Sequence, residues 1–169
     1  RILQPGEGEA GWLARHSLIP FGYLGDREKT ERTFQIIEGH RMVLPGDRAR
    51  HLADGTVELL GRDSVTINSG GEKIFAEEVE AALADHPAIK DVIVVGRPSD
   101  RWGQEVVALV ELLPGQDATD EELQSHCGTQ LARYKLPKAI LRIETLLRGP
   151  NGKADYGWAR QIAAQPLSA

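Results

Sequence analysis

The chain has 169 residues, of which 41% are hydrophobic and 27% charged, a composition typical of one globular domain, or of one domain and part of another. The formal net charge of −5 argues against a general nucleic-acid binder, and no apolar run is long enough for a membrane span or a signal peptide. The single cysteine, Cys127, excludes an internal disulfide and favours a cytoplasmic setting, and the spacing of the five histidines gives no metal site.

Residues 1–60 are divided into short pieces by glycines and predict β structure that needs partners outside the chain. A short helix is expected over Arg27–Phe34, capped by Asp26, and Asp54–Gly55 is a good turn signal. Short strands are predicted over Gly11–Ala14, Met42–Leu44, Ala49–Leu52 and Val57–Leu60.

The stretch from Gly61 to Lys73 carries paired glycines, Gly70 and Gly71, behind a short alternating run that ends at Ile67. Paired glycines let a backbone approach a ligand closely or adopt a positive φ. Because a helix is predicted from Phe75 onward, a strand, a glycine turn and a helix start together suggest a place to hold an anion or a narrow ligand. A hairpin that merely requires glycines explains the pattern equally well.

The remainder of the chain alternates strands and helices around a small sheet. The helix Phe75–Ala84 is ended by His86–Pro87, and a second helix begins at Thr119 with a capping box to Glu122. Cys127 shares a helix face with apolar residues, which makes it a core residue rather than a nucleophile. Further strands are predicted over Val92–Val95, Val106–Leu113 and Ile140–Ile143, and a last helix over Tyr156–Ala164.

Four blocks, in order, resemble the adenylate-forming enzymes, which include acyl-CoA synthetases, firefly luciferase and the adenylation domains of peptide synthetases. The blocks are VLPGDRARHLADGTVELLGR, GRDSVTINSGGEKIFAEEVEAAL, HPAIKDVIVVGRPSDRWGQEVVALVEL, and the pair LARYKLPKAI and GPNGKADY. The INSGGEK loop resembles the subgroup of fatty-acid and steroid-acid CoA ligases. Together the blocks cover nearly the whole chain.

The resemblance implies an α+β fold in two parts. Residues 1–61 would be the β-rich end of a large N-terminal AMP-binding domain, and residues 62–169 the small, mobile C-terminal domain, with its hinge at Ser64. Most family members have aspartate or lysine at the hinge, so the polar contacts that steady each conformation are expected to differ here. The chain begins at Arg1 rather than methionine, and we expect a piece of a longer protein, inactive without its missing N-terminal domain.

Enzymes of the family join a carboxylic acid to the AMP part of ATP, and Mg²⁺ is bound with the participation of the upstream domain. They then transfer the acyl group to a thiol, usually that of coenzyme A. By resemblance, Lys153 is the catalytic cation of the first step, Asp47 holds the ribose, and Arg62 lies near the ribose or phosphate. On pattern alone Lys153 is a solvated turn lysine, Asp47 a turn aspartate, and Arg62 a surface arginine or a partner of Asp63.

For the thiol step, the resemblance implies that Gly70 and Gly71 line a tunnel for the pantetheine arm, with Glu72 positioning the thiol or the loop. Trp102 would pack near the coenzyme, although a tryptophan that covers the sheet is a serious alternative. A basic cluster would meet the coenzyme's phosphates, unless it is a solvated helix end; its members are Arg133, Lys135 and Lys138.

Three functions compete. An ATP-dependent acyl-CoA ligase acting on a fatty or steroid-type acid leads, because the glycine loop has the CoA-ligase form. An adenylation domain that loads a carrier protein is second, although no carrier-like serine segment follows. A non-catalytic binding module is third, and the presence of both Asp47 and Lys153 argues against it.

Overall fold

The computed structural model describes residues 1–165, in which the chain folds into two compact units, Arg1–Ser64 and the residues from Val65 onward. Ser64, the predicted hinge, is the last residue of the first unit and the middle residue of a 3-10 turn, Asp63–Val65. The end of the predicted second domain, 166–169, lies outside the described residues. Among the residues described, no helix is long and apolar enough to cross a membrane.

The first unit is rich in short strands, as predicted. The elements are β1 Ala10–Trp12, α1 Arg27–Thr33, β2 Phe34–Ile37, β3 His40–Val43, β4 Asp47–His51 and β5 Val57–Arg62. An antiparallel sheet has the order β1-β4-β5, and a second sheet pairs β2 with β3. Asp26 caps α1 by accepting from the Lys29 N–H, so the predicted cap is confirmed.

The second unit is a five-stranded sheet with three helices, which confirms the α+β class. The elements are β6 Thr66–Ser69, β7 Glu72–Phe75, α2 Ala76–Ala84, β8 Ile89–Ser99, β9 Gly103–Leu112, α3 Asp120–Gly128, β10 Ala139–Arg142 and α4 Tyr156–Ala163. Strand β9 pairs with β8 in antiparallel orientation along its length and with β10 in parallel orientation. It also pairs with β6 at one position, where Gly103 lies opposite Ser69.

Both faces of the β8–β9 pair are buried. Alternate side chains of a strand point to opposite faces, so a strand covered on both sides is apolar throughout. In β8, Val92 and Val94 join the core beside α2 and α3, whereas Ile93 and Val95 join a second core beside α4. The continuous run Val92–Val95 therefore forms the buried strand that the sequence predicted.

Three local predictions have clear outcomes. The capping box between Thr119 and Glu122 is present at the start of α3, and Cys127 is fully buried in the core. Burial raises the pKa of the Cys127 thiol to about 11, which suits a core residue rather than a nucleophile. The helix predicted over Phe75–Ala84 is confirmed as α2, which begins one residue later at Ala76, and strand β7 fills the interval between Gly71 and this helix.

We expect amide hydrogen exchange in the 169-residue chain to be slower in the second unit than in residues 1–60. Among the described residues, the buried apolar side chains of the first unit are Met42 and Ala49, whereas the second unit holds two buried clusters. Exchange is slowest where opening exposes the most buried structure. Equal or greater protection of residues 1–60, measured by mass spectrometry, would contradict this.

Candidate functional site

Asp47 and Arg62, the predicted nucleotide-binding residues, lie side by side. They are cross-strand partners at the ends of β4 and β5, and Arg62 Nε lies 3.4 Å from Asp47 Oδ1. Gly46, before Asp47, has φ +99°, and its carbonyl accepts from the Asp63 N–H. Both side chains are partly exposed, so the carboxylate remains accessible. Arg62 thus pairs across the two strands with Asp47.

A broad cleft in the first unit lies next to this pair. Its volume is about 1470 Å³, and Arg62, Asp63 and Ser64 are among its lining residues, together with Gly46 and Arg48 on either side of Asp47. The predicted ribose-binding carboxylate therefore lies on a strand whose neighbouring residues face open space.

Gly70 and Gly71 form the two-residue turn of the β6–β7 hairpin. Their φ angles are +60° and +88°, and Ser69 pairs with Glu72 on either side. Two positive φ angles are typical of the tight turns that match the twist of paired strands, so this turn favours glycine at both positions. The hairpin alternative from the sequence is the one observed.

The two glycines differ in their surroundings. A Cβ at Gly70 would lie 3.0 Å from Trp102 Cε3, and the Gly70 N–H donates to the Trp102 carbonyl at 2.9 Å. A Cβ at Gly71 would meet no atom within 4 Å. Trp102 thus covers Gly70 while 38% of its own surface stays exposed, and Arg101 stacks on its ring at 4.7 Å. Gly71 and one side of Trp102 remain open.

Lys135 has a carboxylate partner that the sequence did not reveal. Its Nζ lies 2.5 and 2.7 Å from the two carboxylate oxygens of Glu78 on α2, and 19% of its side chain is exposed. This bond ties the 3-10 turn Arg133–Lys135 to α2. Lys135 therefore has a structural bond that any phosphate contact would have to share or replace.

Lys153 lies on a small, well-bonded turn before α4. The Gly149 N–H donates to the Lys153 carbonyl at 2.8 Å, and the Lys153 N–H donates to Asn151 Oδ1. The backbones of Arg148 and Ala154 form an isolated antiparallel β-bridge. The Lys153 side chain is exposed. The backbone is thus fixed by several bonds, and the ammonium group extends into solvent.

The Lys153 turn and the glycine turn lie at opposite ends of β8. Arg148, at the start of the Lys153 turn, bonds Asp91 near the beginning of β8, whereas Trp102, beside Gly70, follows its end at Ser99. With a rise of about 3.3 Å per strand residue, Asp91 and Ser99 are about 26 Å apart. Lys153 and Gly71 therefore face different surroundings in any one arrangement.

Glu80 and Tyr156 form a partly buried polar link that sequence reasoning missed. Glu80 on α2 accepts from the Val94 N–H at 2.8 Å and from the Tyr156 hydroxyl at 3.2 Å, so it joins α2, β8 and α4. Burial, the largest cause, raises the pKa of the Glu80 carboxyl to about 7, although both hydrogen bonds oppose the rise. Glu80 and Tyr156 are 76 residues apart, and no local pattern pairs them.

The family comparison matches residues 78–153 with the AMP-binding enzyme C-terminal domain. Over 162 residues the chain is 60% identical to the medium-chain acyl-CoA ligase Mig of Mycobacterium avium, covering 96% of this chain and 30% of that protein. It is 48% identical over 158 residues to the 3-oxocholest-4-en-26-oate–CoA ligase of Rhodococcus rhodochrous, covering 94% of this chain and 28% of the relative. The chain thus spans less than a third of each.

Among solved structures, the fold matches the o-succinylbenzoate CoA synthetase of Bacillus subtilis in complex with its acyl-adenylate intermediate. The TM-score is 0.84 at 28% identity, with 94% of this chain and 31% of that chain covered. The resemblance predicted from the four sequence blocks is therefore confirmed.

We expect Glu80→Gln to flatten the pH dependence of stability. A carboxyl whose pKa rises from its ordinary value of 4.5 to about 7 on folding favours the folded state most below about pH 4.5, and this contribution is lost as the pH rises through 7. Urea midpoints at pH 5 and pH 8 should therefore differ less in the variant than in the wild type. Glu144→Gln, which removes an exposed carboxyl, is the control. An unchanged difference in Glu80→Gln would refute the assignment.

Proposed function

We propose that the chain is part of an ATP-dependent acyl-CoA ligase, because residues 78–153 match the AMP-binding enzyme C-terminal domain and the chain is 60% identical to part of an acyl-CoA ligase. Such a ligase activates a carboxylic acid as acyl-AMP and transfers the acyl group to coenzyme A. The chain spans about 30% of its relatives, so the activity belongs to a protein that also contains an N-terminal domain.

The observation that carries the proposal is Lys153, an exposed cation on a turn fixed to the sheet. Adenylation brings a carboxylate against the α-phosphate of ATP, and negative charge increases as the two groups react. A preorganised ammonium stabilises that charge without having to reorganise during the reaction. In our proposal Lys153 binds the oxygens of the carboxylate and α-phosphate, and pyrophosphate leaves as the acyl–phosphate bond forms.

Asp47 and Arg62 are assigned to the nucleotide in this proposal. A carboxylate accepts hydrogen bonds from two vicinal ribose hydroxyls, and Asp47 has an accessible carboxylate. Arg62 lies 3.4 Å away, where it orients that carboxylate and adds a positive charge near the phosphate.

The second half-reaction uses the glycine turn. Gly71 has open space around it and follows Gly70, which the partly exposed Trp102 covers, and this suits a passage for a thin pantetheine arm. Glu72 follows directly and is placed to orient the thiol or the turn. The opposite-end arrangement of Lys153 and Gly71 along β8 supports a rotation about Ser64 between the two half-reactions.

A fatty or steroid-type acid is the proposed substrate class. The named relatives act on medium-chain acyl groups and on 3-oxocholest-4-en-26-oate, and both transfer to coenzyme A. The acyl pocket lies outside this chain in the proposed architecture. Among the described residues, no observation favours a carrier protein as the acceptor.

We expect Lys153→Ala in the full-length enzyme to slow acyl-AMP formation by about a hundredfold to a thousandfold, the usual cost of removing one preorganised charge-stabilising donor. Thioester formation from supplied acyl-AMP should continue, because Lys153 would be outside the reaction centre in that step. Pyrophosphate exchange measures the first step, and the supplied-intermediate assay is the control for folding. Exchange at the wild-type rate in the variant would remove Lys153 from the mechanism.

We expect Gly71→Leu in the full-length enzyme to block transfer to coenzyme A and leave adenylation largely intact, because the leucine side chain would obstruct the passage. The positive φ of Gly71 also strains any other residue by about 1–3 kcal/mol. Gly115→Leu is the matched control, since Gly115 also has a positive φ, +75°, and open space around it.

Single-turnover assays of the two half-reactions separate obstruction from strain. Both variants should lose similar stability by circular dichroism, and only Gly71→Leu should lose acyl transfer. Transfer at the normal rate by folded Gly71→Leu would mean that Gly71 does not line the passage.

A further inference from the structure

The Arg148 guanidinium connects the Lys153 turn to the sheet. Its Nε and Nη2 donate to the two carboxylate oxygens of Asp91 at 2.7 and 2.6 Å, and its Nη1 donates to the Gly152 carbonyl at 3.1 Å. Asp91 lies on β8, and Gly152 directly precedes Lys153. One planar group therefore fixes both a strand and the backbone next to the proposed catalytic lysine.

The Asp91 side of this contact is also held in place. Asp91 Oδ1 accepts from the Val92 N–H at 2.8 Å, and the hydrogen bond from Arg148 lowers the pKa of the Asp91 carboxyl below its ordinary value. Two parallel N–H···O bonds between arginine and a carboxylate fix direction as well as distance. The carboxylate is thus ionised and oriented near neutral pH.

A second carboxylate anchors the segment that leads into the turn. Glu111 is the cross-strand partner of Asp91 on β9, is 6% exposed, and accepts from the Leu146 N–H at 3.0 Å. Lys90 donates to its other oxygen at 2.5 Å. The segment is therefore bonded to β9 through Leu146 and to β8 through Arg148. Arg148 lies five residues before Lys153.

We propose that Arg148 and Asp91 are positioning residues for Lys153, which set where its ammonium lies during adenylation. The inference rests on the proposed function of Lys153. The pair of Arg148 and Asp91 is partly exposed, with 37% and 26% of the two side chains accessible, and its bidentate bonds join the Lys153 turn to β8, so we assign the pair to local placement of that turn. Neither residue touches the reacting groups in this assignment.

The test compares Arg148→Met with Arg142→Met in the full-length enzyme. Arg142 is a close match: it also pairs with a carboxylate, Asp120, donates to a backbone carbonyl, that of Ala118, and has a 35% exposed side chain. It joins β10 to α3 and has no hydrogen bond to the Lys153 turn among those of the described residues. Arg148→Met should slow pyrophosphate exchange by about tenfold to a hundredfold, the usual cost of misplacing a reacting group by about 1 Å.

Three further readouts distinguish positioning from a merely structural role. Thioester formation from supplied acyl-AMP should stay within about twofold of the wild type, as the Lys153 variant is expected to do. The unfolding midpoints of Arg148→Met and Arg142→Met should agree. The exchanged pair Asp91→Arg with Arg148→Asp should recover part of the adenylation lost in either single variant.

The proposal is overturned if Arg148→Met slows both half-reactions equally, or if it slows adenylation no more than Arg142→Met does. Hydrogen exchange in the 169-residue chain tests the same contact without any activity. The Gly149 and Gly152 amides, both bonded within the turn, should exchange faster in Arg148→Met than in Arg142→Met. If the wild-type enzyme catalysed no pyrophosphate exchange, the proposed function would be refuted. Faster hydrogen exchange at the Gly149 and Gly152 amides of Arg148→Met would still support the contact between Arg148 and the turn.

Discussion

The antiparallel pairing of β8 with β9, buried on both faces, is the constraint on which the second unit depends. The middle positions of these strands are buried between helices on the two faces, so a polar side chain there would lose water without gaining a partner. In β9, Val106 and Ala108 pack toward α2 and α3, and Val107 and Leu109 toward α4. Polar function is thereby excluded from the middle of the strands and confined to their ends.

The two ends of β8 are consequently where the proposed functional residues of this unit lie. At one end Asp91 and Glu111 hold the segment that carries Lys153, and at the other Trp102 covers the glycine turn. Glu111 is the buried charged residue among those described, and its pKa is lowered by its hydrogen bond with Lys90 and by the Leu146 N–H. A buried carboxylate needs such partners, which explains why charged groups cluster at this edge.

Local patterns in the sequence were sufficient wherever the deciding contacts were themselves local. The Asp26 cap, the capping box of α3 and the buried Val92–Val95 strand each depend on neighbours within a few residues. The glycine turn could not be resolved this way. Gly70 and Gly71 suit both a turn into a helix and a hairpin, and the choice depends on pairing with β7 and on contact with Trp102.

The site was predictable to the same limited extent. Nothing in the local sequence distinguishes Lys135 and Arg148 from solvated cations, and their carboxylate partners lie far away along the chain. Lys135 and Glu78 are 57 residues apart, as are Arg148 and Asp91. The family resemblance made Lys153 and Asp47 candidates, whereas the contacts that hold the Lys153 turn are visible only in the fold.

The length and rigidity of β8 also bear on how two half-reactions could share one reaction centre. Lys153 and Gly71 lie toward opposite ends of a strand that spans about 26 Å between Asp91 and Ser99, far more than a lysine side chain can reach. Because β8 and β9 are locked on both faces, they cannot bend to bring these ends together. If both residues serve one centre, the second unit must move as a whole, and the backbone rotation must occur outside its core. Ser64 ends the first unit immediately before Val65 enters that core, which is where a rotation of this kind disturbs the fewest buried contacts.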